Sequence, residues 1–147
     1  MLSLLSEARR EHVKTFITQV ADYVRQRYPA WDCEGLRPWL AWHYCSGLLV
    51  ALTEAQSDQL SAVVVVRYMD ELDSYETDYH HKPGAPICHV ELALAESTAA
   101  FCAACRTLEL RHGTPQRIVF QRGLRGPQAH IHLFSKIMER LEHHAQS

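Results

Sequence analysis

Apolar side chains recur at helical spacing along the first stretch of the chain. Val13, Phe16, Ile17, Val20 and Val24 share one face between Ser6 and Arg27, while Glu7, Glu11, Lys14, Asp22 and Arg25 occupy the others. Pro29 stops this helix. A shorter helix is expected from about Arg37 to Cys45, with Pro38 in the first turn, where a missing amide is harmless, and Gly47 just past the end. Trp39, Leu40 and Trp42 supply its apolar side. After Gly47 the period becomes that of strands. Leu48 to Thr53 and Leu60 to Met69, the second carrying the run Val63, Val64, Val65, Val66, flank a polar turn and should form an antiparallel hairpin.

Asp70 to Pro86 offers nothing for a core and reads as a long polar loop. Ile87 to Leu94 returns to strand. A helix from about Thr98 to Arg111 follows, capped by Ser97 or Thr98 and ended by Gly113 and Pro115. Arg117 to Gln121 is a short strand, Gly123 to Pro127 turns the chain, and His130 to Phe134 is a last strand leading into a short helix with Ile137, Met138 and Leu141 apolar. Strand, helix and strand from Ile87 to Gln121 make a βαβ unit, so those two strands should run parallel in a sheet that begins antiparallel. The expectation is one α+β domain over residues 1–147, a three-layer αβα arrangement with a mixed, mainly antiparallel sheet covered by helices on both faces.

Composition fits that picture. The 147 residues are 47% hydrophobic and 22% charged, as in globular proteins. Five cysteines are an odd number in a chain too large to depend on a disulfide framework, which points to reduced thiols and a cytoplasmic location. The apolar start Met1 to Leu5 is broken at once by Glu7, Arg9 and Arg10, unlike a signal peptide, and no stretch reaches the roughly 18 apolar residues of a membrane span. Net charge is −2, but nine acidic residues lie from Glu54 to Glu96 and seven basic ones from Arg106 to Arg140. The basic third suits an anion or an acidic protein partner. It lacks interleaved exposed aromatics, which argues against a nucleic-acid platform.

Strict alternation in Ile87 to Leu94 sends Cys88, Val90, Leu92 and Leu94 to one face and Ile87, His89, Glu91 and Ala93 to the other. His89 and Glu91 thus form a polar pair inside the sheet and need partners. Cys102 and Cys105, at i and i+3 among alanines, read as core rather than as a redox or zinc pair. Of the ten histidines, His130 and His132 with His89 are the set that a neighbouring last strand would bring together. No tight ligand spacing accompanies them, and no metal is expected. The exposed edge of a short mixed sheet suits a homodimer.

The order of elements resembles the GNAT acyltransferase family over roughly residues 6 to 142. Leu60 to Asp70 resembles the strand that in many relatives reads as an apolar run closing on a charged residue, His89 to Ser97 the central strand, and Thr98 to His112 the helix whose N-terminus receives the acyl-CoA pyrophosphate. The resemblance implies acetyl-CoA or another acyl-CoA as cofactor, held at Leu94, Ala95, Ser97, Thr98 and Ala99. It also implies a small-molecule or protein amine as substrate, with Glu91 as general base and His89 beside it. The sequence departs from the family in three places, the first being that the strand that usually precedes the first helix is missing. The cofactor loop reads Ala95, Glu96, Ser97, Thr98, Ala99, Ala100, without the usual glycines, and no tyrosine follows Tyr79 to serve as an acid. The alternative expectation is a catalytically inactive GNAT-like module that binds a partner or an anion through the basic third and the acidic 70–78 loop.

Overall fold

The computed structural model describes residues 2–31, 34–70, 82, 84–121 and 129–146. The acidic loop, the turn carrying Arg122 and Arg125, and Cys33, His80 and His81 lie outside them, as do the side chains of residues 2–9, 121, 129, 130 and 146. The chain divides into two compact units, Met1–Ser46 and Gly47–Ser147.

In the first unit, helix α1 (Leu2–Arg27) buries Ile17, Val20 and Val24 of the anticipated stripe together with Ala21 and Tyr23, while Val13 and Phe16 are half-buried. A single 3-10 turn at Pro29–Trp31 leads to α2 (Leu36–Cys45), which buries Leu36, Leu40 and His43. Aromatic contacts tie the pieces together: Phe16 and Tyr44 lie 4.9 Å apart between centroids, and Trp31 meets Trp39 edge-on at 5.4 Å. His43 carries its proton on Nδ1, because that nitrogen lies 2.8 Å from the Trp39 carbonyl, which can only accept.

The second unit is a five-stranded sheet in the order β1 (Leu49–Thr53), β2 (Leu60–Met69), β3 (Ile87–Ala95), β4 (Arg117–Gln121), β5 (Ala129–Leu133). Every pairing is antiparallel except β3 with β4, which is parallel, as the βαβ pattern requires. Helix α3 (Thr98–His112) makes the crossover. Ser97 caps it, its Oγ accepting from the Ala100 amide at 3.1 Å, and Gly113 ends it with a positive φ of 88° that disfavours other residues. Helix α4 (Phe134–Gln146) follows β5 directly and packs against α3 on the same face of the sheet. The observed class is α+β, a mixed and mostly antiparallel open sheet with helices.

Strict alternation along β3 is overturned. Val66 pairs with Val90, but its neighbour Val65 pairs with Leu92, so Glu91 is an extra residue and forms a β-bulge. Directly opposed residues share a face of the sheet. Cys88 and Val90 therefore face α3 with Val66 and Tyr68, whereas Leu92 and Leu94 lie on the other face with Val65 and Val63. Their apolar character fits either side, so the sequence pattern holds no trace of the reversal.

Candidate functional site

The polar pair expected on β3 finds its partner on β2. Arg67 stands directly across from His89, and its Nε donates to Glu91 Oε1 in an ion pair. The Arg67 and Glu91 side chains are only 10% and 9% exposed, and His89 is 3% exposed. Glu91 keeps the face that alternation from His89 gives it, and the bulge brings Leu92 and Leu94 onto that same face beyond it. Val63, Val65 and Val119 on the same face are fully buried, so the pair sits where a charge costs several kcal/mol unless it is matched.

The bulge coincides with a second break. The parallel ladder between β3 and β4 runs from Ile87↔Arg117 to Val90↔Phe120, while β3 itself continues to Ala95. Past Val90, β3 remains paired with β2, and the Glu96 amide still donates to the Ser61 carbonyl at 2.8 Å. Among the described residues, the strand is thus held by β2 up to the start of α3. There Ala95, Glu96, Ser97, Thr98 and Ala99 are exposed and Leu94 is buried. The glycine-free residues leave the first amides of α3 facing outward, except that of Ala100, which the Ser97 hydroxyl already occupies.

On the opposite face, Tyr68, Cys88 and Cys105 gather around a cavity of about 10 Å³, room for one water, closed by Leu108, Ile118 and Phe134. Burial pushes the Cys88 thiol up to about 12, although its hydrogen bond with the Tyr68 hydroxyl works the other way, and burial likewise raises Cys105 to about 12. Burial, then the neighbouring Cys88, drives the Tyr68 hydroxyl well above its usual range. These thiols stay protonated at neutral pH and lack the thiolate that nucleophilic or metal-binding chemistry uses. Cys105 is a core residue, as its alanine-rich setting implied, and Cys102 is half-buried.

His132 and His89 do not converge, and the His130 side chain lies outside the described ones. The β4 strand separates β5 from β3, and His132 stands opposite Ile118, on the α3 face, while His89 is on the other. Among the described residues no cluster of three or more His, Cys, Asp or Glu side chains is placed to hold a metal ion. The basic third is also less free than its composition suggests. Arg106 donates through NH1 to Glu109 at 2.7 Å and through Nε to Glu142 at 3.0 Å. Its hydrogen bond, then that from Thr114, holds the Glu109 carboxyl below the usual range. Arg111 reaches the Leu49 carbonyl at 3.1 Å, whereas Arg117, Lys136 and Arg140 are exposed. No helix among the described residues is long and apolar enough to cross a membrane.

Sequence reasoning missed Arg67 and Tyr68. The signal for Arg67 was available: it is the one charged residue inside the ten-residue apolar strand β2, and such a residue in a central strand calls for a counter-charge on a neighbour. Tyr68 carried no comparable signal, because its partners Cys88 and Cys105 are distant in sequence. Compared with protein-family models, curated proteins and solved structures, the chain matches none.

Proposed function

We propose that this chain is a divergent relative of the acyl-CoA N-acyltransferases, with an acyl carrier held at the junction of β3 and α3. One observation carries the reading: among the described residues, the bulge at Glu91 and the last β3–β4 pair, Val90↔Phe120, fall together, shortly before a helix N-terminus. Bulges gather beside ligand sites, and ligands of parallel strands bind beyond the strands' carboxyl ends. The arm of an extended acyl carrier would lie along residues 91–95, past Leu94 and Ala95, with the carrier's phosphates towards the outward amides around Ser97, Thr98 and Ala99. Glu91, with His89 beside it, is the base that would take a proton from an amine of a small molecule or a protein.

A second reading is favoured by the Arg67–Glu91 ion pair. A carboxylate already hydrogen-bonded to a buried guanidinium has a structural task of its own, so the same junction serves equally as a non-catalytic binding site for an anionic partner.

Thermal unfolding with acetyl-CoA tests the carrier site. At about a hundred times its dissociation constant a ligand adds roughly 2.7 kcal/mol, and the transition should rise by about 5 °C or more. Ala99→Glu, which sets a carboxylate among the outward amides, should abolish the rise. No response to millimolar acetyl-CoA would remove the carrier reading. An equal response to adenosine 3′,5′-bisphosphate, with no acyl transfer to amines, would select the binding module.

A further inference from the structure

The two borders of the sheet are built differently. At β1, the register slips between Leu52 and Thr53, and Arg111 donates to the Leu49 carbonyl, which points away from β2 because the preceding Leu48 carbonyl accepts from Val66. A bulge and a capping cation are two devices by which sheets protect a border from further pairing. At β5 the arrangement is the reverse. Ile131 and Leu133 are 45% and 47% exposed, next to a fully buried Val119, and their side chains share its face. The Phe134 amide donates to Gln116, next to β4, so the backbone groups of residues 134 and 132 point inward and those of 133, 131 and 129 point outward.

We infer that β5 is a dimerisation strand that pairs antiparallel with β5 of a second copy about a two-fold axis through Ile131. The register is self-complementary. Ile131 meets Ile131 of the partner subunit, and Leu133 meets position 129, so the outward groups of 129, 131 and 133 make about six backbone hydrogen bonds. The apolar residues of each copy then cover one another, and two five-stranded sheets become one. A five-residue strand alone is too small for a stable interface, which takes about 20–30 residues a side. The 13-residue α4, which leaves β5 on the α3 face, supplies most of the remainder. Its Ile137 and Leu141 are half-buried, and Glu139 and Arg140 are exposed, giving apolar and oppositely charged groups for the antiparallel α4 of the partner. This inference is independent of any acyl carrier.

Sedimentation equilibrium of the full chain over a concentration series provides the test. The chain is expected to be a dimer at about 50 μM, below typical limits for a specific interface. Ile131→Pro removes an amide that points away from β4, and Ile131→Lys places a charge on the axis. Neither touches the ladder within the copy, and each should raise the dissociation constant about 100-fold or more, with unchanged circular dichroism. A chain that stays monomeric at several hundred micromolar overturns the inference, as does a dimer that both folded variants leave intact.

Discussion

Glu91→Ala is expected to cost about 3–5 kcal/mol of folding stability, because it removes the carboxylate from a guanidinium that is itself almost fully buried. The lost attraction is only part of this. Most of the cost is the desolvation of Arg67, which the native fold offsets with the ion pair and which the variant retains. The double variant Arg67→Met, Glu91→Leu should therefore recover most of the loss, since apolar residues of similar size suit a face that already holds Val63, Val65 and Leu92. Urea unfolding of the single and double variants measures both. A Glu91→Ala cost below about 1 kcal/mol, the range of surface pairs, would show that water reaches the pair and would favour a part for Glu91 in proton transfer. The experiment thus bears on chemistry as well as on stability.

Stability should also fall steeply in alkali. The Cys88 and Cys105 thiols have ordinary values of 9.0 and are held at about 12 by burial. Below pH 9 both the folded and the unfolded chain keep them protonated, and their contribution is fully present. Between about pH 9 and 12 only the unfolded chain releases the protons, so each thiol subtracts roughly 1.4 kcal/mol per pH unit. By about pH 10.5 the two together should remove on the order of 4 kcal/mol. The raised Tyr68 hydroxyl adds a loss of the same sign above its ordinary value of 10.0. Comparing urea midpoints from about pH 8 to 10.5 for the chain and for Cys88→Ala, Cys105→Ala isolates the thiols, because their part of the slope should vanish in the double variant. Equal slopes would mean that the thiols are solvated.

The elements were legible because each is announced by local physics. The β-branched run of β2, the Ser97 cap, and Gly113 followed by Pro115 fix their boundaries within a residue or so, and the βαβ order fixes the parallel pair. The polar pair His89 and Glu91 was visible as well, since two polar side chains on an interior strand stand out against valines and leucines. Its partner and its geometry were not. The bulge depends on how β2 and β3 slide past each other, a non-local choice, and Leu92 and Leu94 are equally at home on either face. Fewer side chains of the basic third are free than the charge count implied, because Glu142, just beyond the basic run, takes Arg106. The grouping of His132 with His89 failed for the same kind of reason. Position along a strand sets the face, but only the strand order sets the neighbour.

The odd residue in the central strand also makes its place there a matter of chemistry more than of spacing. Loss of a single codon at Glu91 would close the bulge and let Val90 run on to Leu92 in simple alternation, with both leucines kept on their present face. What such a deletion takes away is the acid that meets Arg67, so its cost should match that of replacing the carboxylate and not that of scrambling the strand.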